Sequence, residues 1–159
     1  MFIINLGEQW VKEGMHPIPI ENTILIQITD PKSSHVTSPY FKDFSKIYRF
    51  KFDDLSKHHI KIIERSILNG KINSSEIKFI DNKQAKFIAE ALFEAKINNQ
   101  NVIVNCQAGI SRSGAIAEIA TELLGFEYLS DFSCLKHPNL LVKDLIKYHL
   151  KILLKKKRI

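Results

Sequence analysis

Val102-Ile103-Val104 is a short, continuous apolar run of β-branched residues, set off by the polar stretch Asn98-Asn99-Gln100-Asn101. That is the pattern of a strand buried on both faces. Ile116, Ile119, Ala120 and Leu123 then follow at helical spacing, and Gly125 stands where a helix ends in a left-handed residue. Only the stretch 105–111 separates the two periods. A buried strand that turns directly into a helix is the building unit of a layered α/β fold. The turn between them, at the helix N-terminus, is where such a fold binds anions.

The rest of the chain is consistent with that class. Phe2 to Leu6 and Ile24 to Ile28 read as strands. Thr29 to Phe44, with Pro31, Pro39 and several serines, reads as loop. Ile47 to Phe52 alternates, with Tyr48, Phe50 and Phe52 on one face and Arg49 and Lys51 on the other, as a half-buried strand does. Helices are expected over Leu55 to Leu68, stopped by Asn69-Gly70, and after the capping box of Asp81 and Gln84. A last helix is expected over Leu140 to Leu154, with Leu141, Leu145, Tyr148 and Ile152 inward and Lys143, Lys147, Lys151 and Lys155 as the solvent stripe. With 159 residues and neither repeats nor a linker, one domain over 1–159 is expected.

The junction reads Asn105-Cys106-Gln107-Ala108-Gly109-Ile110-Ser111-Arg112-Ser113-Gly114. A loop entering a helix aims several backbone N–H groups at one spot, and these with the helix dipole bind an oxyanion. Gly109 permits a backbone shape that a Cβ resists. Arg112, in the first helical turn, can grip two phosphate oxygens as a fork. The same positive surroundings favour a thiolate at Cys106, an anionic nucleophile placed beneath phosphorus.

This stretch closely resembles the Cys-x5-Arg signature loop of the protein tyrosine phosphatase superfamily. The resemblance implies a phosphatase-like α/β fold, with a central, mostly parallel sheet flanked by helices. It implies hydrolysis of phosphate monoesters through a phosphocysteine at Cys106, with no metal and no cofactor. Phosphate would be cradled by Cys106, Gln107, Ala108, Gly109, Ile110, Ser111 and Arg112. Ser113 would donate to the sulfur and help it leave. One position departs from the pattern: the family usually has His before the cysteine, where this chain has Asn105, which can hydrogen-bond within the loop but carries no charge.

The leaving oxygen needs a proton, and in the family an Asp on a loop after an upstream strand gives it. The upstream acids are Asp30, Asp43, Asp53, Asp54 and Asp81. Asp81 is explained as a helix cap. Arg49-Phe50-Lys51-Phe52-Asp53-Asp54 resembles the Phe-Asp-Asp segment of small bacterial and phage phosphatases of the superfamily, which favours Asp54, with Asp53 orienting it or sharing the role. The stretch from Asp54 to Cys106 is longer than in compact dual-specificity phosphatases, and the excess, the helix expected at 55–68 with the loop to Ser75, is expected to serve as a lid or specificity element. His137-Pro138-Asn139-Leu140-Leu141-Val142 resembles the segment opening the last helix of the same small enzymes. There Asn139 either caps the helix or buttresses the signature loop.

Charge narrows the partner class without choosing within it. Lys and Arg total 23 against 17 Asp and Glu, a formal net charge of +6, which favours anionic partners. The expected substrate is a phosphotyrosine protein or peptide, with phosphoserine and phosphothreonine in reach of the same chemistry. Asn105 motivates a second reading, a phosphate-binding module without turnover. RNA 5′-phosphatase activity is a third, because the superfamily includes such enzymes. A purely nucleic-acid-binding protein lacks the expected arginine cluster and aromatic-basic interleaving. The tail Lys155-Lys156-Lys157-Arg158 is expected to be solvated, or to touch RNA or acidic lipid. Two cysteines, Cys106 and Cys134, make no disulfide framework, and no apolar run reaches membrane-spanning length, so no stable membrane insertion and a cytoplasmic location are expected. Cys134 reads as a buried structural thiol or as a trap for oxidised Cys106. Adjacent His58 and His59 point apart on a helix and make no metal pair.

Overall fold

A computed structural model of the chain describes residues 1–130 and 136–157. Five strands form one all-parallel sheet: β1 (Phe2–Gly7), β2 (Thr23–Thr29), β3 (Lys46–Lys51), β4 (Asn101–Cys106) and β5 (Glu127–Tyr128), in the order β3-β2-β4-β1-β5. The helices are α1 (Glu8–Lys12), α2 (Lys57–Leu68), α3 (Asn82–Ile97), α4 (Arg112–Leu124) and α5 (Leu140–Lys156). The fold is therefore α/β, as the period change at 105–111 implied.

β4 is the middle strand, and Val102, Ile103 and Val104 have no exposed surface. Removing each such side chain from water contributes about 1.5–3 kcal/mol. Alternation splits the strand between two cores. Val102, Val104 and Cys106 face the cluster built with α3, α4 and α5, while Ile103 faces a smaller cluster with Val11, Phe41 and Phe44.

Local signals explain the element boundaries. Asp81 accepts from Gln84 N at 2.7 Å and opens α3. Asn139 Oδ1 accepts from Leu141 N at 3.0 Å and Val142 N at 3.2 Å, and opens α5. Gly125, at φ 67°, ends α4. Ser56 caps α2, two residues later than the sequence pattern placed its start.

The inward face of α5 differs from expectation by one residue. Val142, Ile146, His149 and Leu150 are buried, Tyr148 is 59% exposed, and Leu141 and Leu145 pack only at the margin. Lys143 explains the rotation. It lies against α4, paired with Glu118 at 3.1 Å and Glu122 at 2.6 Å, so it does not belong to a solvent stripe. Among the described residues no helix is long and apolar enough to cross a membrane. Cys134 and Arg158, singled out in the sequence, lie outside the described residues.

Candidate active site

In a parallel sheet every strand points the same way, so the segments leaving the strand ends meet along one edge, where α/β folds bind their ligands. Gly7 ends β1, Asp30 follows β2, Phe52-Asp53-Asp54 follows β3, and Cys106 ends β4. The stretch 106–111 lies at the middle of that edge.

The loop is shaped by donors outside it. Glu8 N donates to Gln107 O at 3.1 Å, His137 N to Ile110 O at 3.2 Å, and Asn139 N to Ser111 O at 3.2 Å. Asn5 Nδ2 donates to Gly109 O at 2.7 Å. In a trans peptide the C=O and the following N–H point in opposite directions. Pinning these carbonyls outward therefore turns the N–H groups of Ala108, Ile110, Ser111 and Arg112 into the concavity of the loop. Gly109 sits at φ 75°, and a Cβ there would lie 2.2 Å from Gly7 N. No other residue fits so close to the end of β1.

Cys106 Sγ and Ser113 Oγ are 3.2 Å apart, both buried. Arg112 is only 3% exposed. Its Nη1 donates to Asp30 Oδ1 and to Phe52 O, each at 2.7 Å. Its Nε is buried without a partner among the described residues. Leaving such a donor unsatisfied costs about 1–3 kcal/mol. Nη1 of the guanidinium is thus clamped by protein, and Nε is not. Asp30, read from sequence only as one upstream acid among several, is here the ion-pair partner that aims Arg112.

Asp54 and Asp53 are separated in role by their contacts. Asp54 Oδ1 accepts from Ser111 Oγ at 2.7 Å and from Asn139 Nδ2 at 2.8 Å, which brings it to the signature loop. Asp53 turns away: its Oδ2 accepts from Lys78 N at 2.8 Å, and its own N–H donates to Lys78 O at 2.7 Å. Asp53 fixes the backbone from which Asp54 projects. Asn139 caps α5 through its Oδ1; its contact with the signature loop is made by its backbone N–H on Ser111 O, while its Nδ2 reaches Asp54 and Leu55 O instead.

Asn105 does not buttress the loop through its side-chain oxygen. Strand alternation places it on the face opposite Cys106, and its Oδ1 is buried without a partner among the described residues. A side chain that does donate to the loop is Asn5, whose Oδ1 in turn accepts from Tyr128 Oη at 2.7 Å. No motif in the sequence marks Asn5 or Tyr128.

A cleft of about 590 Å3 opens beside the loop, bordered by Asp54, Ser111, His58, His59, Pro138 and Leu140. Neither Cys106 nor Arg112 lines it, so it flanks the 106–111 loop on the Asp54 side. The start of α2 forms one wall, tied to α5 by the Lys57–Asp144 ion pair. His58 and His59 stand with ring centroids 6.0 Å apart, and among the described residues no cluster of three His, Cys, Asp or Glu side chains is arranged to hold a metal.

No protein-family model, no curated protein and no solved structure matches this chain.

Proposed function

We propose that this chain hydrolyses phosphate monoesters through a phosphocysteine on Cys106, with phosphotyrosine in a protein or peptide as substrate. The observation that carries this reading is the combination at the end of β4. A buried cysteine lies against a serine hydroxyl, in a loop whose carbonyls are held outward, next to a buried arginine with an unpartnered Nε. Each feature serves an incoming phosphate. The inward N–H groups and the Nε edge of Arg112 receive its oxygens, and the sulfur attacks phosphorus from below.

In the first step the S–P bond forms and the P–O bond to the leaving group breaks. Asp54 gives its proton to the leaving oxygen. In the second, a water oxygen attacks phosphorus while Asp54 takes the water proton, and the S–P bond breaks. Ser113 Oγ–H then donates to the departing thiolate. The cleft on the Asp54 side receives the leaving group. Its His58, His59, Pro138 and Leu140 offer ring faces and apolar surface to a phenol.

Asp54→Asn should lower kcat/KM, which reports the steps up to P–O cleavage, about 10²-fold on an alkyl phosphate or phosphotyrosine peptide, and only about threefold on an activated aryl phosphate that leaves unprotonated. Equal losses on both would remove Asp54 from the acid role. Turnover should survive exhaustive chelation, because the loop and Arg112 supply the positive charge that a metal otherwise gives. Activity lost in chelator and restored by a divalent cation would contradict the mechanism.

Asn105 favours one rival, a phosphate-binding module that does not turn over. A panel of phosphotyrosine, phosphoserine and phosphothreonine peptides, with 5′-triphosphate RNA, separates the readings. The account predicts hydrolysis of the phosphotyrosine peptide. Binding of inorganic phosphate without hydrolysis of any substrate would establish the module, and release of phosphate from the RNA alone would establish an RNA 5′-phosphatase.

A further inference from the structure

We propose that Asn5, steadied by Tyr128, is a positioning residue for oxyanion binding, filling the buttressing part that Asn105 does not take. This inference rests on the reading of 106–112 as a phosphate loop. Asn5 is fully buried in β1, and its Nδ2 donates to Gly109 O at 2.7 Å. At Gly109 the loop lies close against Leu6 and Gly7 at the end of the same strand.

The peptide that follows Gly109 has its carbonyl on Asn5 and its N–H on Ile110. While the carbonyl is held by Asn5, the Ile110 N–H faces the hollow. Released, the peptide is free to flip, because glycine tolerates the alternative backbone angles, and a flip would put a carbonyl oxygen where a phosphate oxygen must sit. Tyr128 Oη donates to Asn5 Oδ1 at 2.7 Å, which selects the amide orientation that presents Nδ2 to the loop. Tyr128 comes from β5, the edge strand beside β1, and its ring is held under Lys136 Nζ at 3.9 Å. The two side chains thus join the sheet edge to the loop. By contrast, Asn105 Oδ1 is buried without a partner among the described residues.

The experiment compares wild type, Asn5→Leu, Tyr128→Phe and the double variant. Each is checked by thermal denaturation, then titrated with inorganic phosphate and assayed on an aryl phosphate. Asn5→Leu keeps the branched side-chain shape with a larger volume, and removes the hydrogen bonds to Gly109 O and from Tyr128 Oη. It is expected to weaken phosphate binding about tenfold, the scale of a lost buried hydrogen bond with its partner left unsatisfied. Tyr128→Phe keeps the ring and its cation contact, and is expected to weaken binding about threefold. The double variant should bind as weakly as Asn5→Leu alone, because Tyr128 acts through Asn5.

Folded variants with wild-type phosphate affinity would overturn the proposal, and so would a strictly additive double variant. Should Asn5→Leu not fold, Tyr128→Phe decides alone. Wild-type protein that binds phosphate but hydrolyses nothing would overturn the hydrolase reading and leave the role of Asn5 to be judged by the phosphate titrations. Wild-type protein that binds no phosphate would overturn both.

Discussion

Cys106→Ser should lower kcat on an aryl phosphate by about 10⁴-fold or more, because a serine hydroxyl at neutral pH is not ionised as a thiolate is. The substitution is conservative where it stands. Cys106 is 2% exposed at the end of the middle strand and its sulfur lies 3.2 Å from Ser113 Oγ, so an oxygen there keeps a hydrogen-bond partner and loses little packing. Thermal stability should change by less than about 1.5 kcal/mol, as for a near-isosteric exchange in a core. Phosphate affinity should persist, since the inward N–H groups and Arg112 are untouched. Lost turnover with retained phosphate binding would separate nucleophile from cradle. Near wild-type turnover would end the covalent mechanism.

Arg112→Lys should cost about 10³-fold in kcat/KM and weaken inhibition by inorganic phosphate in parallel, because an ammonium cannot replace a planar fork. The geometry makes the loss specific. Arg112 faces three demands at once: Asp30 Oδ1, Phe52 O, and the anion expected at Nε. Its guanidinium meets them with separate edges. A lysine Nζ near Asp30 would be drawn to that carboxylate and away from phosphate. The variant should remain folded, since the ion pair to Asp30 is still available. Unchanged phosphate inhibition in Arg112→Lys would mean that the Nε edge does not bind the anion.

What the sequence made legible is mostly local. The strand at 102–104, the loop at 106–111 and the helix after it follow from period and spacing, and the structure has them as the middle strand β4, the loop that leaves it and α4. The α/β class followed from the same unit. Asp53 and Asp54 could be located after a strand, but one residue decides which faces the loop, and that depended on Lys78, a partner 25 positions away whose backbone claims Asp53. The two-residue β5 and the short α1 carry too little periodicity to be seen. Spacing alone does not fix the inward face of α5, because Lys143, spaced like a solvent lysine, is engaged by Glu118 and Glu122 of a neighbouring helix.

The parts of the site that escaped the sequence are those made by distant side chains. Asn5 meets Gly109 across 104 positions and Tyr128 across 123, and Asp30 meets Arg112 across 82. Nothing in the composition of β1 distinguishes Asn5 from a polar interruption in an apolar strand. Its one available signal was that a buried amide in a parallel strand must find partners. Likewise the departure at Asn105 could be read as a deficit, whereas the structure supplies another donor to the loop.

The central claim is that phosphate passes through sulfur. Its most direct measurement is rapid acid quenching of the protein during turnover of an aryl phosphate, followed by peptide mapping for a phosphoryl group. The account predicts a phosphoryl group on Cys106 in wild type, accumulating further in Asp54→Asn where removal of the water proton is impaired, and absent in Cys106→Ser. Steady turnover with no phosphoryl group on Cys106, or with one on another residue, would contradict it.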